Sequence, residues 1–306
     1  MRESFKVSAP GKLFLFGEHA VLHGQSALVC AVTQRMSITV KMRQDSSVRI
    51  FSDLGEFYTE LQNIQSHPRF RFVLSAISSQ AKYLRTGFDL KIESDFSANV
   101  GLGSSAAVTA ATTAALFELS NRECILDDIF QAGLETIRKI QGVASGADLA
   151  AAVFGGIILY RMKPLAIERS NKKYPLTVVY SGTKLPTTKV INIVEEKRKH
   201  HAKLFASIFK MMGESAVQAA AAIKESRWQR VGELLNINQG LMDAIGVNNR
   251  VLSEIVYLLR REPEILGAKI SGSGLGDCVV GLGSIRQGLP YQILPVDISA
   301  EGLVFE

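Results

Sequence analysis

Gly101, Gly103, Ser104 and Ser105 stand at the head of the stretch NVGLGSSAAVTAATTAALFEL (Asn99–Leu119), where a glycine turn runs into two serines and a helical Ala/Thr/Leu run. Glycine lets a backbone approach a ligand closely and take φ > 0 without strain. The serines can cap the helix that follows, and the N–H groups of its first turn attract an anion. A phosphate cradle and a serine-capped turn before a core helix are both consistent with this pattern. Elsewhere, Lys12 closes an Ala-Pro-Gly turn, Glu18 and His19 lie in a glycine-bracketed loop, and Asp148 opens an Ala-rich helix after Ser145-Gly146. A second glycine-rich loop, Ile270–Cys278, carries Asp277. Kinase chemistry on a small alcohol needs phosphate donors, Mg²⁺ ligands, an acid near the hydroxyl and a cation for the moving charge. Gly101–Ser105, Ser105 with a carboxylate, Asp148 and Lys12 can fill these four roles in turn. Singly, Asp148 is also explained as an acid favoured by a helix dipole, and Lys12 as a strand-end lysine.

Other chemistries fit less well. No GxxxxGK[ST] loop is present. Gly101-x-Gly103-x-x-Ala106 matches a loose dinucleotide fingerprint, but NRECILDD follows the helix where a strand ending in an acid is required. His19 and His23 are four apart, yet Ala20 stands where a zinc HExxH motif needs Glu.

The elements that must position these groups are legible in outline. FKVSA and KLFLF read as two short strands broken by Pro10-Gly11. Alternation at Arg35–Lys41 and Ser47–Phe51 predicts antiparallel strands, and 69–86 has helical spacing. Phe88–Ser94 is a strand, which puts the glycine–serine loop in a strand–loop–helix unit. A helix over 122–141, one from Asp148 to Phe154, and strands at Ile157–Tyr160 and Leu176–Tyr180 follow. Several helices occupy 187–262, with breaks expected near Gly213, Ser226 and Gly246, before the strand Val279–Leu282. Strands and helices mix without regular βαβ alternation, so the expected class is α+β in two domains, 1–170 and 171–306. The length suits two domains.

The net charge is +6, and the densest basic run, EEKRKHHAK, mixes acids with bases as a solvated helix face does. A surplus of positive charge then suits small anionic substrates better than nucleic acid. Three scattered cysteines, no apolar leader and no membrane span predict a reducing, cytoplasmic setting.

Three stretches, APGKLFLFGEHAVLHG (Ala9–Gly24), NVGLGSSAA (Asn99–Ala107) and KISGSGLGDC (Lys269–Cys278), occur in the order of the GHMP family of small-molecule kinases, which the chain resembles over most of its length. GEHAVLHG and Thr183-Lys184-Leu185-Pro186 are most similar to the family's mevalonate-phosphorylating branch. The resemblance implies an N-terminal domain like ribosomal protein S5 domain 2, a ferredoxin-like C-terminal domain, and an active site between them. It implies ATP and Mg²⁺ as cofactors. Asn99, Val100, Gly101, Leu102, Gly103, Ser104 and Ser105 would bind the nucleotide, Asp148 would be the base, and Lys12 would stabilise the phosphoryl group. Glu18, His19 and Thr183 would contact mevalonate, and Ser105 and Glu135 the metal. The family's metal-binding acid lies eleven residues before the base, which is Ile137 here, so Glu135 is offset by about 200° on an ideal helix. Asp277 also departs from the glycine usual in that branch and resembles phosphomevalonate kinases.

Phosphomevalonate kinase activity, kinase activity on another small alcohol, and a non-catalytic ligand-binding protein like those of the family are the alternatives. The first loop offers one permanent cation, Lys12, beside Glu18, which suits a neutral hydroxyl better than a second phosphate. Lys184 can pair with the substrate carboxylate. The expected partner is a small molecule, with no nucleic acid and no membrane; a homodimer is left open.

Overall fold

The computed structural model describes residues 4–97, 100–286 and 288–306. The chain opens with β1 (Ser4–Phe16) and β2 (Ser26–Met42), an antiparallel pair that forms the spine of the larger sheet. β1 is one strand, not the two expected, because a register shift between Pro10 and Lys12 absorbs the Pro-Gly pair as a bulge. Gly11 is needed there: a Cβ on it would lie 2.9 Å from the Leu102 carbonyl oxygen. The hairpin β3 (Ser47–Ser52) and β4 (Gly55–Glu60) leads to α1 (Arg71–Gln80) and β5 (Phe88–Ser94). β5 inserts between β2 and β3, antiparallel to the first and parallel to the second, so the two strands expected from alternation do not pair with each other.

Three helices follow, α2 (Ser104–Leu119), α3 (Leu126–Gln141) and α4 (Ala147–Phe154). α2 is buried almost continuously from Ala106 to Phe117, which explains its lack of a polar stripe and its small residues against β1. β6 (Ile157–Met162) pairs with the first half of β2, and β7 (Leu165–Ser170) pairs with β6.

After residue 170 the chain enters a second, four-stranded antiparallel sheet. β8 (Leu176–Tyr180) is followed by α5 (Thr187–His200), α6 (Ala202–Lys224), α7 (Trp228–Ala244) and α8 (Arg250–Arg260). β9 (Ala268–Ser271), β10 (Cys278–Leu282) and β11 (Gln292–Leu294) complete it in the order β11-β8-β10-β9. The last strand, β12 (Val304–Phe305), returns to pair with β1 in the first sheet. The architecture is α+β with two sheets.

Gly213 does not break a helix. It lies inside α6, where a Cβ would come within 2.8 Å of Gln25, so the glycine serves close packing. α6 contributes to both cores: Ala216, Ala219 and Ile223 join the larger one, and Phe205, Phe209 and Met212 the smaller. The two sheets are therefore packed on a shared helix. Among the described residues, no helix is long and apolar enough to cross a membrane, and the three cysteines are unpaired.

Candidate active site

Lys12 follows the β1 bulge and is 5% exposed. Its ammonium lies 3.5 Å from Asp148 Oδ2 and 5.1 Å from the centre of the Phe14 ring. Asp148 is the second residue of α4, whose N-cap Gly146 takes φ +92°. The Tyr160 hydroxyl donates to the Ser145 carbonyl at 2.5 Å and fixes that entry turn. Burial pushes the Tyr160 phenol up to about 12, so it stays a donor. Asp148 Oδ1 is buried and has no protein partner.

The glycine–serine loop is laid directly over Lys12. The Lys12 N–H donates to the Leu102 carbonyl at 2.8 Å. Gly103 takes φ +78° and covers the lysine stem: a Cβ on it would sit 2.7 Å from Lys12 Cγ and Cε. Gly103, not a serine, is the N-cap of α2, and no side chain caps that end. Ser104 and Ser105 occupy the first turn, while the Ala106 and Ala107 N–H groups both donate to the Gly103 carbonyl. An uncapped helix start behind two positive-φ glycines is an anion site. Val100 and Leu102 are buried anchors. Asn99 lies outside the described residues.

Glu18 and His19 come from the turn after β1. His19 donates Nε2–H to the Ser273 carbonyl at 2.8 Å, since a carbonyl only accepts. Burial lowers its pKa, leaving Nδ1 as an acceptor. Glu18 is 2% exposed and pairs with Lys269 of β9, which is 0% exposed. Burial lowers the Lys269 pKa and Glu18 opposes that shift. The second carboxylate oxygen, Glu18 Oε2, is buried without a partner. Further links run between the sheets: the Phe14 N–H donates to the Ser271 hydroxyl at 3.1 Å, and the Cys278 thiol to the Val100 carbonyl at 3.0 Å.

One cavity gathers Glu18, His19, Ser105 and Asp148 with Thr187 and Ser273. Thr187, Ser273 and the role of Lys269 were missed from the sequence. A lysine within a four-residue, fully buried strand was the available signal for the last.

Two residues expected at the site stand outside this cavity. Thr183 is exposed and lines no part of this cavity; its carbonyl accepts the Asp277 N–H at 2.8 Å and the Ser181 hydroxyl at 3.2 Å. Thr187, one helical turn further on at the start of α5, takes the place at the wall. Glu135 is exposed on α3 while Ile137 is buried and lines the cavity, as the two-residue offset on a helix requires. Among the described residues no cluster of three or more His, Cys, Asp or Glu could hold a metal.

Asp277 is 5% exposed at φ +63°. A Cβ on Gly101 would lie 3.0 Å from its Oδ1, and one on Gly272 would lie 3.4 Å from its Oδ2. Burial raises its pKa, Lys184 and Lys12 pull it down, and Asp148 adds a like charge. The third loop thus presents a carboxyl to the glycine–serine loop.

Residues 70–156 match the profile of the GHMP kinases N terminal domain and 219–287 that of the GHMP kinases C terminal domain. A mevalonate kinase of Pyrococcus furiosus is 32% identical across 98% of this chain and 97% of its own length. One from Archaeoglobus fulgidus is 34% identical across 90% and 91%. The crystal structure of L. major mevalonate kinase in complex with R-mevalonate superposes with a TM-score of 0.76 at 26% identity, over 91% of this chain and 87% of that one.

Proposed function

The chain belongs to the GHMP kinases, and on that premise we propose that it transfers the γ-phosphoryl group of ATP to the 5-hydroxyl of mevalonate. The observation that carries this reading is the Lys12–Asp148 pair, 3.5 Å apart under the glycine–serine loop, with Asp148 in a cavity wall shared with Glu18, His19 and Ser105. The mevalonate kinases that match nearly the whole chain support the choice of substrate.

The roles follow from the geometry. The start of α2 receives the nucleotide phosphates through its N–H groups and Gly101 to Ser105. Asp148 accepts the substrate hydroxyl proton, and Lys12, 3.5 Å from it, offsets charge on the moving phosphoryl group. Lys12 is itself held straight by Gly103 and Leu102. His19 Nδ1 and the unpartnered Glu18 Oε2 are free to take hydroxyl groups of the substrate. The buried wall excludes water, which would otherwise compete for the phosphoryl group.

Mg²⁺ belongs to this reading; bound at the phosphates it supplies neutralisation of their charge. The donor set fits it: Asp148 Oδ1 and Asp277 Oδ1 are buried carboxylate oxygens without a protein partner; Asp148 shares a cavity with Ser105, and Asp277 Oδ1 approaches Gly101 of the same loop. Mg²⁺ takes one or two carboxylates and fills its remaining positions with phosphates and water. A cytoplasmic setting is in keeping with three unpaired cysteines.

A coupled ADP-release assay across mevalonate, phosphomevalonate, galactose and homoserine tests the proposal. Mevalonate is expected to give the highest kcat/KM. Faster turnover of phosphomevalonate at equal concentration would overturn the substrate, and no turnover of any alcohol would overturn the activity.

A further inference from the structure

We propose that Asp277 supplies the carboxylate for the divalent cation that accompanies the nucleotide phosphates, reaching it from the third glycine loop because α3 offers Ile137 in place of an acid. This rests on the phosphoryl-transfer reading above and assigns a ligand within it.

Three observations carry the assignment. Asp277 is 5% exposed and its Oδ1 has no hydrogen-bond partner, a costly state for a carboxylate unless something binds it. That oxygen is directed at the loop that receives phosphates, 3.0 Å from the position a Cβ on Gly101 would take. The backbone holds it there: the Asp277 N–H donates to the Thr183 carbonyl at 2.8 Å, and its carbonyl accepts the Ser181 N–H at 2.9 Å. The residue also sits at φ +63°, where glycine would be unstrained. A buried, unpartnered acid at a glycine-favouring position is doubly unfavourable for stability, and a ligand role accounts for both costs.

Charge argues the same way. ATP phosphates at Gly101 to Ser105 would face two carboxylates, half-buried Asp148 and buried Asp277, with Lys12 the cation that both feel. A divalent cation between them converts repulsion into coordination. The Asp148 carboxylate, from α4, and the Asp277 carboxylate, from the loop between β9 and β10, would then serve one ion, with Ser105 as a third oxygen donor.

The test uses Mn²⁺ in place of Mg²⁺ and a non-hydrolysable ATP analogue, with bound Mn²⁺ counted by the loss of the free-ion EPR signal. Asp277→Asn and Asp277→Gly are expected to weaken Mn²⁺ binding in the ternary complex by about tenfold or more. Glu135→Gln should stay within about twofold of wild type, because that side chain faces solvent. The glycine variant suits the native backbone and so decides the matter if the asparagine variant is unstable. Unchanged Mn²⁺ affinity in a folded Asp277→Gly protein overturns the assignment. Wild-type protein that binds the analogue neither with nor without Mn²⁺ overturns the kinase reading instead.

Discussion

Gly103→Ala tests whether the glycine–serine loop positions Lys12 or merely caps a helix. The added Cβ would lie 2.7 Å from Lys12 Cγ and Cε, whereas carbon atoms rest about 3.5–4.0 Å apart. The lysine stem or the loop must therefore move by about 0.8–1.3 Å. A displacement of that size at a reacting group costs about 10²-fold in rate, or about 2.7 kcal/mol of barrier. Alanine at φ +78° adds backbone strain of about 1–2 kcal/mol, which lowers stability whatever the site does. Gly24→Ala isolates that second effect, since Gly24 has the same φ of +78° and nothing within 4 Å of its added Cβ. Thermal melts and ADP-release kinetics on both variants separate the terms. Both should lose a few degrees of Tm, at about 2–4 °C per kcal/mol. Only Gly103→Ala should lose about 10²-fold in kcat. A folded Gly103→Ala enzyme within about threefold of wild type, or an equal kcat loss in Gly24→Ala, would refute the reasoning.

Asp148→Asn keeps the size of the side chain and removes the base, so turnover should fall about 10²- to 10⁴-fold with nucleotide-analogue affinity nearly unchanged; turnover within a few-fold of wild type sinks the role. Lys269→Met leaves Glu18 buried without its ion-pair partner, and urea denaturation should show a loss of about 3–5 kcal/mol. Adding Glu18→Leu should restore most of that stability but not turnover, because Glu18 Oε2 faces the substrate cavity; full recovery of both would make the pair purely structural. His19 has its pKa lowered by burial, so the unfolded chain binds a proton below about 6.5 while the folded ring resists it. Stability present above that pH is lost as pH falls toward the folded value. Between pH 7 and 5, wild-type Tm should fall more steeply than that of His19→Gln, which keeps a donor for the Ser273 carbonyl; equal slopes would count against a buried neutral ring.

Local chemistry was readable from the chain because it acts over a few residues. Gly101, Gly103 and the serines announced an anion-binding helix start, since positive φ and free first-turn N–H groups depend on neighbours in sequence. Even there, tertiary packing chose the cap: Gly103 has to lie flat on Lys12, which pushed both serines into the first turn. Pro10-Gly11 looked like a break and became a bulge, because the long partner strand β2 holds both halves of β1 in one sheet. Which way α3 turns its residues was settled by burial of Ile137 against the cavity, and this left Glu135 in solvent.

The contacts that complete the site join residues far apart in the chain, and no local rule reports them. Glu18 and Lys269 are separated by 251 residues, and His19 and Ser273 by 254. The motifs showed that these stretches belong to one site, but their chemistry emerged only when the two sheets closed on α6. Thr183 stands outside the cavity, and Thr187 lines its wall because the N-terminus of α5 comes down there. Asp277 makes the same point most sharply. Its sequence context allowed a turn-stabilising aspartate, whereas its burial, its unpartnered oxygen and its approach to Gly101 exist only in the packed molecule. Residue type sets what a side chain can do; desolvation and direction, which decide what it does, are properties of the closed fold.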